Sequence, residues 1–338
     1  AVVATPDDHP ELPTRLSNLA AVLTSRVLTG VNGPASDGTD LGEARGAHRR
    51  SLSLTPPDHP SRCMRLINLA INQNSSFTLS GDLAAGSEAT ACFREAASLT
   101  TAPVVHRLIA AARWARVAVT RGVDDEALDG YRLAIRLVPR LAARGLRLVD
   151  GERHLDQWSG LAQEAAAHAL AIDRPDVALE LLEHGRAVLW LQLIERRTTL
   201  DDLRDTAPEL RDVADELETH LRIIDSTLET VVSTSAHDTS LRWDTITESA
   251  QRYEQLLAQV RSVRAHENFM SPVPAQELCA AAVHGPVVVI IIAARCDALC
   301  VTPTGVGYIP LSTLSEEALA EYVSRYRRAL DVLDDQRR

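Results

Sequence analysis

The residues best suited to covalent chemistry are cysteines and histidines in the last quarter of the sequence. Nucleophilic catalysis by cysteine needs a thiol beside an imidazole that lowers the thiol pKa. Cys296 and Cys300 are four residues apart on a predicted strand and hence on one face, where packing as small core residues is the simpler interpretation. The candidate nucleophiles are Cys279, Cys296 and Cys300, and the candidate bases are His266 and His284. We predict that none of these five residues is catalytic.

Other reactive-group and metal chemistries have little support in the sequence. All 35 basic residues are arginine, which excludes a lysine nucleophile, a Schiff base and a P-loop lysine. The eleven histidines show no His-x-x-x-His or His-Glu-x-x-His spacing, and the five cysteines show no Cys-x-x-Cys spacing. We expect no metal and no cofactor.

The composition also limits the partners. A net charge of −11 argues against a nucleic-acid-binding surface, which needs clustered positive charge. The longest uncharged apolar run is about half the length that a membrane span needs, and no signal peptide is visible. An odd number of cysteines without a disulfide pattern suits a reducing compartment. We expect a cytoplasmic protein that binds neither nucleic acid nor membrane.

The elements that would position functional residues begin with an internal repeat. Thr5–Ala20 and Thr55–Ala70 are identical at ten of sixteen positions, at an offset of 50 residues. A weaker third copy begins at Arg107, 42 residues after Arg65. The difference of eight residues between the offsets assigns Val31–Gly38 to an insertion, which we predict to be an exposed loop.

Each repeat is predicted to contain two helices, because its apolar residues recur at steps of three and four. A proline precedes the first helix, and a glycine between the paired helices ends it in a left-handed conformation. A period of about 42 residues predicts an α-solenoid of the tetratricopeptide type over residues 1–200. The prolines are Pro10, Pro60 and Pro103, the glycines are Gly30, Gly81 and Gly122, and a fourth pair is predicted at His154–Ile172 and Pro175–Arg197.

The candidate binding residues recur in the repeat without belonging to its apolar stripe: Arg15, Asn18, Arg65 and Asn68. They lie on the first helix of each unit, which lines the concave groove in tetratricopeptide solenoids. An asparagine there can hydrogen-bond the backbone of an extended peptide. Alternatively, Asn18 and Asn68 bond a neighbouring helix and hold the repeat geometry. The third copy has Ala110 at this position, so the asparagine ladder is short.

Residues 201–270 show a different pattern. Apolar residues from Leu210 to Val231 form a heptad-like stripe, and a second stripe runs from Ile246 to Val260. The polar connector Ser233–Ser240 separates them. We predict a long antiparallel helical hairpin that acts as a structural spacer.

Residues 271–338 change to a strand pattern. Pro286–Ala294 is a continuous β-branched run, which is typical of a strand covered on both faces. Cys296–Val301 alternates between faces, Val306–Leu311 is a third strand, and Leu314–Leu333 is predicted to be a covering helix. A buried strand needs neighbours on both edges, so we expect an incomplete α/β domain.

Two of these stretches carry a family resemblance. Ala178–Arg197, with its Glu183-His-Gly-Arg186 segment, looks like the junction of actinobacterial tetratricopeptide–CHAT proteins. Gly285–Leu311 resembles the first strands of the CHAT domain, which is a caspase-like cysteine peptidase fold. The resemblance implies that the catalytic histidine and cysteine lie at the ends of later parallel strands. Nothing in this sequence matches those two positions.

The resemblance leads to one functional expectation and one alternative. We expect a protein- or peptide-binding repeat scaffold that senses a partner and regulates an attached CHAT peptidase domain, while the chain itself lacks the catalytic pair. Its open sheet would pair with the remainder of that domain or with another chain. The alternative is a non-enzymatic tetratricopeptide adaptor, for which residues 271–338 would form a self-contained fold.

Overall fold

The chain is mostly helical and carries a three-stranded antiparallel sheet near its C-terminal end. It divides into two units: Ala1–Arg147 with Arg197–Ser262, and Leu148–Arg196 with Val263–Arg338. The structure is a computed structural model that describes residues 5–6, 9–29, 34–57, 59, 61–100, 102–142, 160–191, 195–231, 248–249, 251–253, 255–267, 269 and 273–337.

The first unit begins with three helix pairs. Each helix packs on the next one along the chain, and the first helices of successive pairs also contact one another. This packing gives a helical-repeat arrangement in which α1, α3 and α5 are neighbours. The pairs are α1 (Leu12–Leu28) with α2 (Pro34–Ser53), α3 (Arg62–Ser80) with α4 (Leu83–Ser98), and α5 (Val104–Arg121) with α6 (Asp124–Ala142).

Glycines end the first helices and allow the paired helices to approach closely. Gly81 and Gly122 have φ angles of 71° and 70°, which confirms the predicted left-handed ends of α3 and α5. Gly30 lies outside the described residues. A Cβ atom at Gly130 of α6 would lie only 2.8 Å from the Ala115 backbone nitrogen of α5, so only glycine permits this approach.

The turn that precedes a first helix is built alike in the first two repeats. His9 Nδ1 accepts the backbone N–H of Glu11 at 3.1 Å, and His59 Nδ1 accepts the backbone N–H of Ser61 at 3.1 Å. These bonds satisfy N–H groups near a helix start, which have no partner within the helix itself. The two recurring histidines therefore shape the turn before each first helix.

The insertion in the first repeat is not wholly a loop. Residues 34–38 form the start of α2, so the predicted loop is wrong there, and residues 31–33 lie outside the described part. Pro34 is the first helical residue, where a missing N–H costs nothing. The extension changes the role of a recurring aspartate. Asp82 caps α4 by accepting the N–H groups of Ala84 and Ala85, whereas the equivalent Asp40 lies inside α2 and pairs with Arg26 at 3.1 Å.

The remainder of the first unit contains α9 (Glu195–Thr206) from Arg197 onward, α10 (Arg211–Val231) and helical residues at 248–249, 251–253 and 255–261. Arg204 of α9 pairs with Asp215 and Glu218 of α10 at 2.8 and 2.5 Å. Arg252 contacts both carboxylate oxygens of Glu216 at 2.7 and 3.1 Å, which places the later helical segment beside α10, as a hairpin requires. The predicted connector lies outside the described residues.

The second unit packs a helix pair on the sheet. The helices are α7 (Leu161–Ala171) and α8 (Pro175–Leu191), and the predicted start of the pair before residue 160 lies outside the described part. A Cβ atom at Gly185 would overlap the Ala162 side chain, which accounts for glycine in mid-helix. The sequence grouped this pair with the repeats, and in the structure α7 contacts the first strand and α8 the third. Glu180 also accepts the N–H of Ala275, the first residue of α11 (Ala275–Cys279).

The sheet is an antiparallel meander of β1 (Val287–Ile292), β2 (Cys296–Thr302) and β3 (Gly305–Pro310). The prediction that the first strand is covered on both faces is wrong, since Val288 and Ile290 are 56% and 45% exposed. The central strand β2 is buried instead, from Cys296 to Leu299 without alternation. Two consecutive hairpins place β2 between β1 and β3. The central strand is the buried one, and β1 is an edge strand.

The helix after the sheet is α12 (Glu316–Arg337). The prediction that this helix covers the sheet is wrong. Val323, Tyr326 and Leu330 belong to the apolar stripe that suggests a covering helix, yet they are 41%, 66% and 42% exposed, and the neighbouring Tyr322 is 62% exposed. The second unit therefore presents apolar side chains to solvent on both β1 and α12.

Candidate functional site

The candidate site is the solvent-facing side of α1, α3 and α5, termed here the first-helix face. Residues spaced by three and four lie on one side of a helix, and equivalent residues of neighbouring repeats lie side by side. These side chains are exposed or half-buried, except for one alanine on α5. The face consists of Thr14, Asn18 and Ala21 of α1, Met64, Asn68 and Ile71 of α3, and His106, Ala110 and Arg113 of α5.

The two asparagines of this face can both accept a ligand. Asn18 is exposed and makes no hydrogen bond within the described residues. Asn68 is half-buried, and its Nδ2 lies 3.4 Å from the Ser17 hydroxyl of α1, which is a long contact. Asn18 therefore has its whole amide available, and Asn68 combines a weak inter-helix contact with partial exposure. The asparagine ladder ends at α5, where the equivalent residue is Ala110, which is fully buried.

The recurring arginines make a bond that is repeated in all three copies. Each guanidinium turns back to the segment before its own helix and donates to a residue ten positions earlier. This bond fixes the position at which the chain enters each first helix. A structural role therefore accounts for the recurrence of these arginines. The donors and acceptors are Arg15 and the Thr5 hydroxyl at 2.9 Å, Arg65 and the Thr55 hydroxyl, and Arg107 and the Ala97 carbonyl at 3.0 Å.

Arg65 and Arg15 differ in exposure. Arg65 is 7% exposed, and it also donates to the Thr14 hydroxyl of the preceding repeat at 3.2 Å. Burial lowers the pKa of Arg65 from its ordinary value. Arg15 is partly exposed and pairs with Glu11 at 2.6 Å. The structure thus leaves Asn18, Asn68 and part of Arg15 at the surface, whereas the Arg65 guanidinium lies inside.

A buried polar layer between the first two repeats was not found from the sequence. Asn72 is fully buried and donates to the Thr24 hydroxyl at 3.1 Å and to the Leu41 carbonyl at 3.3 Å. Gln73 is also fully buried and donates to Glu88. A signal was present, because Gln73 replaces the buried Leu23 of the first copy. The Asn72 contacts join the two repeats beneath the first-helix face, whereas the Gln73 contact joins α3 to α4 within the second repeat.

The candidate nucleophiles are not assembled into a catalytic pair. Cys279 and Cys296 are buried, and within the described part of the chain no cysteine hydrogen-bonds a histidine. In the repeats, burial raises the pKa of both Cys63 and Cys92 to about 11, which keeps each thiol protonated at neutral pH.

A cleft of about 340 Å³ lies at the end of the sheet, next to the β1–β2 turn. Its charged lining residues are Arg295 and Glu317. Arg295 contacts both carboxylate oxygens of Asp297 at 2.6 Å and lies 5.6 Å from the centre of the Tyr308 ring. Asp297 is fully buried, so the guanidinium supplies the charge that this carboxylate needs. The arrangement serves the fold, and the sequence reasoning missed it because Arg295 stands alone in a turn.

Across the described residues, no three histidine, cysteine or acidic side chains come together as a metal site would require. No helix in the same part combines the length and apolar character needed to cross a bilayer. No protein-family profile matches the chain, and no curated protein matches it.

Proposed function

We propose that the helix pairs form a tetratricopeptide-type solenoid that binds an extended protein segment and regulates a CHAT-type cysteine peptidase domain. In this proposal the sheet and α12 are the first elements of that peptidase domain. The chain contributes recognition, and the catalytic histidine and cysteine are supplied by the remainder of the domain.

The observation that carries the proposal is the available asparagine pair on neighbouring first helices. Asn18 has no partner in the described part, and Asn68 has one long contact. The side-chain amide of asparagine has N–H donors and a carbonyl acceptor, so it can hydrogen-bond both the C=O and the N–H groups of an extended peptide backbone. A residue that only held the repeat together would instead be engaged in internal hydrogen bonds, as the buried Arg65 is.

The exposed apolar residues of the second unit support the peptidase part of the proposal. Val288 and Ile290 of β1 and Tyr322 and Tyr326 of α12 are each 45% exposed or more. A β-branched edge strand with unpaired backbone groups is a template for a further strand. Together with the resemblance of Gly285–Leu311 to the first CHAT strands, this supports pairing with the rest of a CHAT domain.

One observation favours the adaptor alternative. The three strands form a simple meander joined by short turns, an arrangement that needs no crossover strand from elsewhere. If the second unit is self-contained, the full chain should be monomeric, and a protease should leave the region from β1 to α12 intact. Association through β1, or early cleavage between β3 and α12, would favour the peptidase proposal.

The recognition part can be tested with a random twelve-residue peptide library displayed on phage. The full chain is the bait, and an Asn18→Ala/Asn68→Ala double variant is the comparison. Because Asn18 is exposed and Asn68 is half-buried with one long contact, the variant should unfold at an unchanged temperature. Peptides enriched on the wild-type chain and lost on the double variant support the proposal. Equal enrichment on both proteins contradicts it.

A further inference from the structure

The first helices differ in charge from the remainder of this acidic protein. Helices α1, α3 and α5 contain two, two and four arginines and no aspartate or glutamate. Their partner helices α2, α4 and α6 contain three, two and four acidic residues. In a chain of net charge −11, the row of first helices is therefore free of negative side chains.

Part of this asymmetry is structural. Arginines of the first helices pair with acidic residues of the second helices, as Arg26 does with Asp40 and Arg62 with Glu95. Arg113 of α5 differs from these arginines. It is exposed and has no hydrogen bond or ion pair within the described part of the chain. Its charge is available to a ligand.

Arg113 lies on the same side of the row as the asparagines. It is three residues after Ala110, the α5 equivalent of Asn18 and Asn68, and it occupies the repeat position of Ile71 on α3. Packed helices are about 10 Å apart. An extended chain advances about 3.3 Å per residue, so about six residues would reach from Asn18 on α1 to Arg113 on α5.

We infer that the first-helix face takes an extended acidic peptide. Asn18 and Asn68 bond its backbone, and Arg113 pairs with an aspartate or glutamate side chain about six residues further along. This inference rests on the proposed peptide-binding function and adds the chemical class of the ligand.

The charge distribution supports an acidic ligand over a basic one. An exposed guanidinium without a partner can take a carboxylate in a bidentate, charge-assisted pair. No carboxylate lies on the first-helix face to compete for it or to attract a basic peptide. The overall negative charge repels acidic peptides elsewhere, which confines them to this face.

The test uses the same random twelve-residue phage library and the full chain. Three baits are compared: the wild type, Arg113→Glu, and the control Arg325→Glu, which makes the same charge change on the exposed surface of α12. We expect peptides selected on the wild type and on Arg325→Glu to be enriched in aspartate and glutamate. Arg113→Glu should lose that enrichment and bind the selected acidic peptides about tenfold more weakly.

The outcomes separate the two proposals. Peptides that require Asn18 and Asn68 but show no acidic enrichment, or acidic enrichment that survives Arg113→Glu, overturn the acidic-ligand inference and leave peptide binding standing. Absence of any peptide that depends on the two asparagines overturns both. A loss of enrichment on Arg325→Glu as well as on Arg113→Glu would show an effect of net charge alone and also overturns the inference.

Discussion

Arg65 donates to the Thr55 hydroxyl ten residues before it, and the same guanidinium reaches Thr14 of the preceding helix pair at 3.2 Å. The contact therefore fixes both the entry to α3 and the junction between two repeats. Its counterpart, from Arg15 to Thr5, has no earlier repeat among the described residues to join.

Replacing Arg65 by methionine should destabilise the repeats by about 2–3 kcal/mol, because hydrogen bonds to a buried charged group are lost and two hydroxyls lose their donor. Arg15→Met is the matched control, and it should cost less than about 1 kcal/mol because the Arg15 pair with Glu11 is exposed. Urea denaturation followed by circular dichroism measures both. Equal losses in the two variants would contradict the inter-repeat role of Arg65.

Gly130→Ala should destabilise the α5–α6 pair, since the new Cβ would lie 2.8 Å from the Ala115 nitrogen and the helices would have to separate. Gly46→Ala is the control, because Gly46 is an exposed residue of α2 with open space around it. There alanine should stabilise the protein by up to about 1 kcal/mol through helix propensity. The two substitutions should shift the thermal midpoint in opposite directions. A higher midpoint for Gly130→Ala would refute the close approach.

His48 should make the repeats sensitive to acid. It is 1% exposed, and burial lowers its pKa from 6.5 to about 4. The unfolded chain then binds more protons than the folded one between these two values, so stability is complete above pH 6.5 and falls as the pH drops toward 4. The loss from this residue is about 2 kcal/mol at pH 5.

The check is a comparison of His48→Leu with the wild type in denaturation experiments at pH 7 and pH 5. Both ring nitrogens of His48 lack a hydrogen-bond partner within the described residues, so leucine removes no bond. The variant should lose less stability than the wild type between these pH values. An identical loss in both proteins would show that His48 is not the titrating group.

Sequence patterns predicted the local features of the repeats well. Gly81 and Gly122 end their helices as expected, because a left-handed residue is a local requirement that glycine meets best. The strand environment was predicted wrongly. Hydrophobicity alone cannot distinguish a buried strand from an edge strand, and the meander places β1 at an edge and β2 in the centre.

The candidate site was predicted in part for a similar reason. Recurrence marked Arg65 and Asn68 alike, but recurrence does not separate a ligand contact from an internal bond. A finer signal was present, since Thr5 and Thr55 recur together with the arginines that bind them. Arg113 does not recur, so a search for repeated residues could not find it.

The chain should show no peptidase activity of its own. None of the cysteines is hydrogen-bonded to a histidine within the described part of the structure, and that contact is the one that a cysteine nucleophile needs. A fluorogenic peptide assay should give the buffer rate. Cleavage that disappears in one of Cys279→Ala, Cys296→Ala or Cys300→Ala would contradict the account and identify the nucleophile.

The most direct measurement is the affinity of a library-selected, fluorescein-labelled peptide for the full chain and for Asn18→Ala/Asn68→Ala, by fluorescence anisotropy. If the first-helix face is the recognition surface, the double variant should bind at least about tenfold more weakly, with an unchanged thermal midpoint. Unchanged affinity in the double variant would show that the peptide binds elsewhere, and the account of this face as the recognition surface would be wrong.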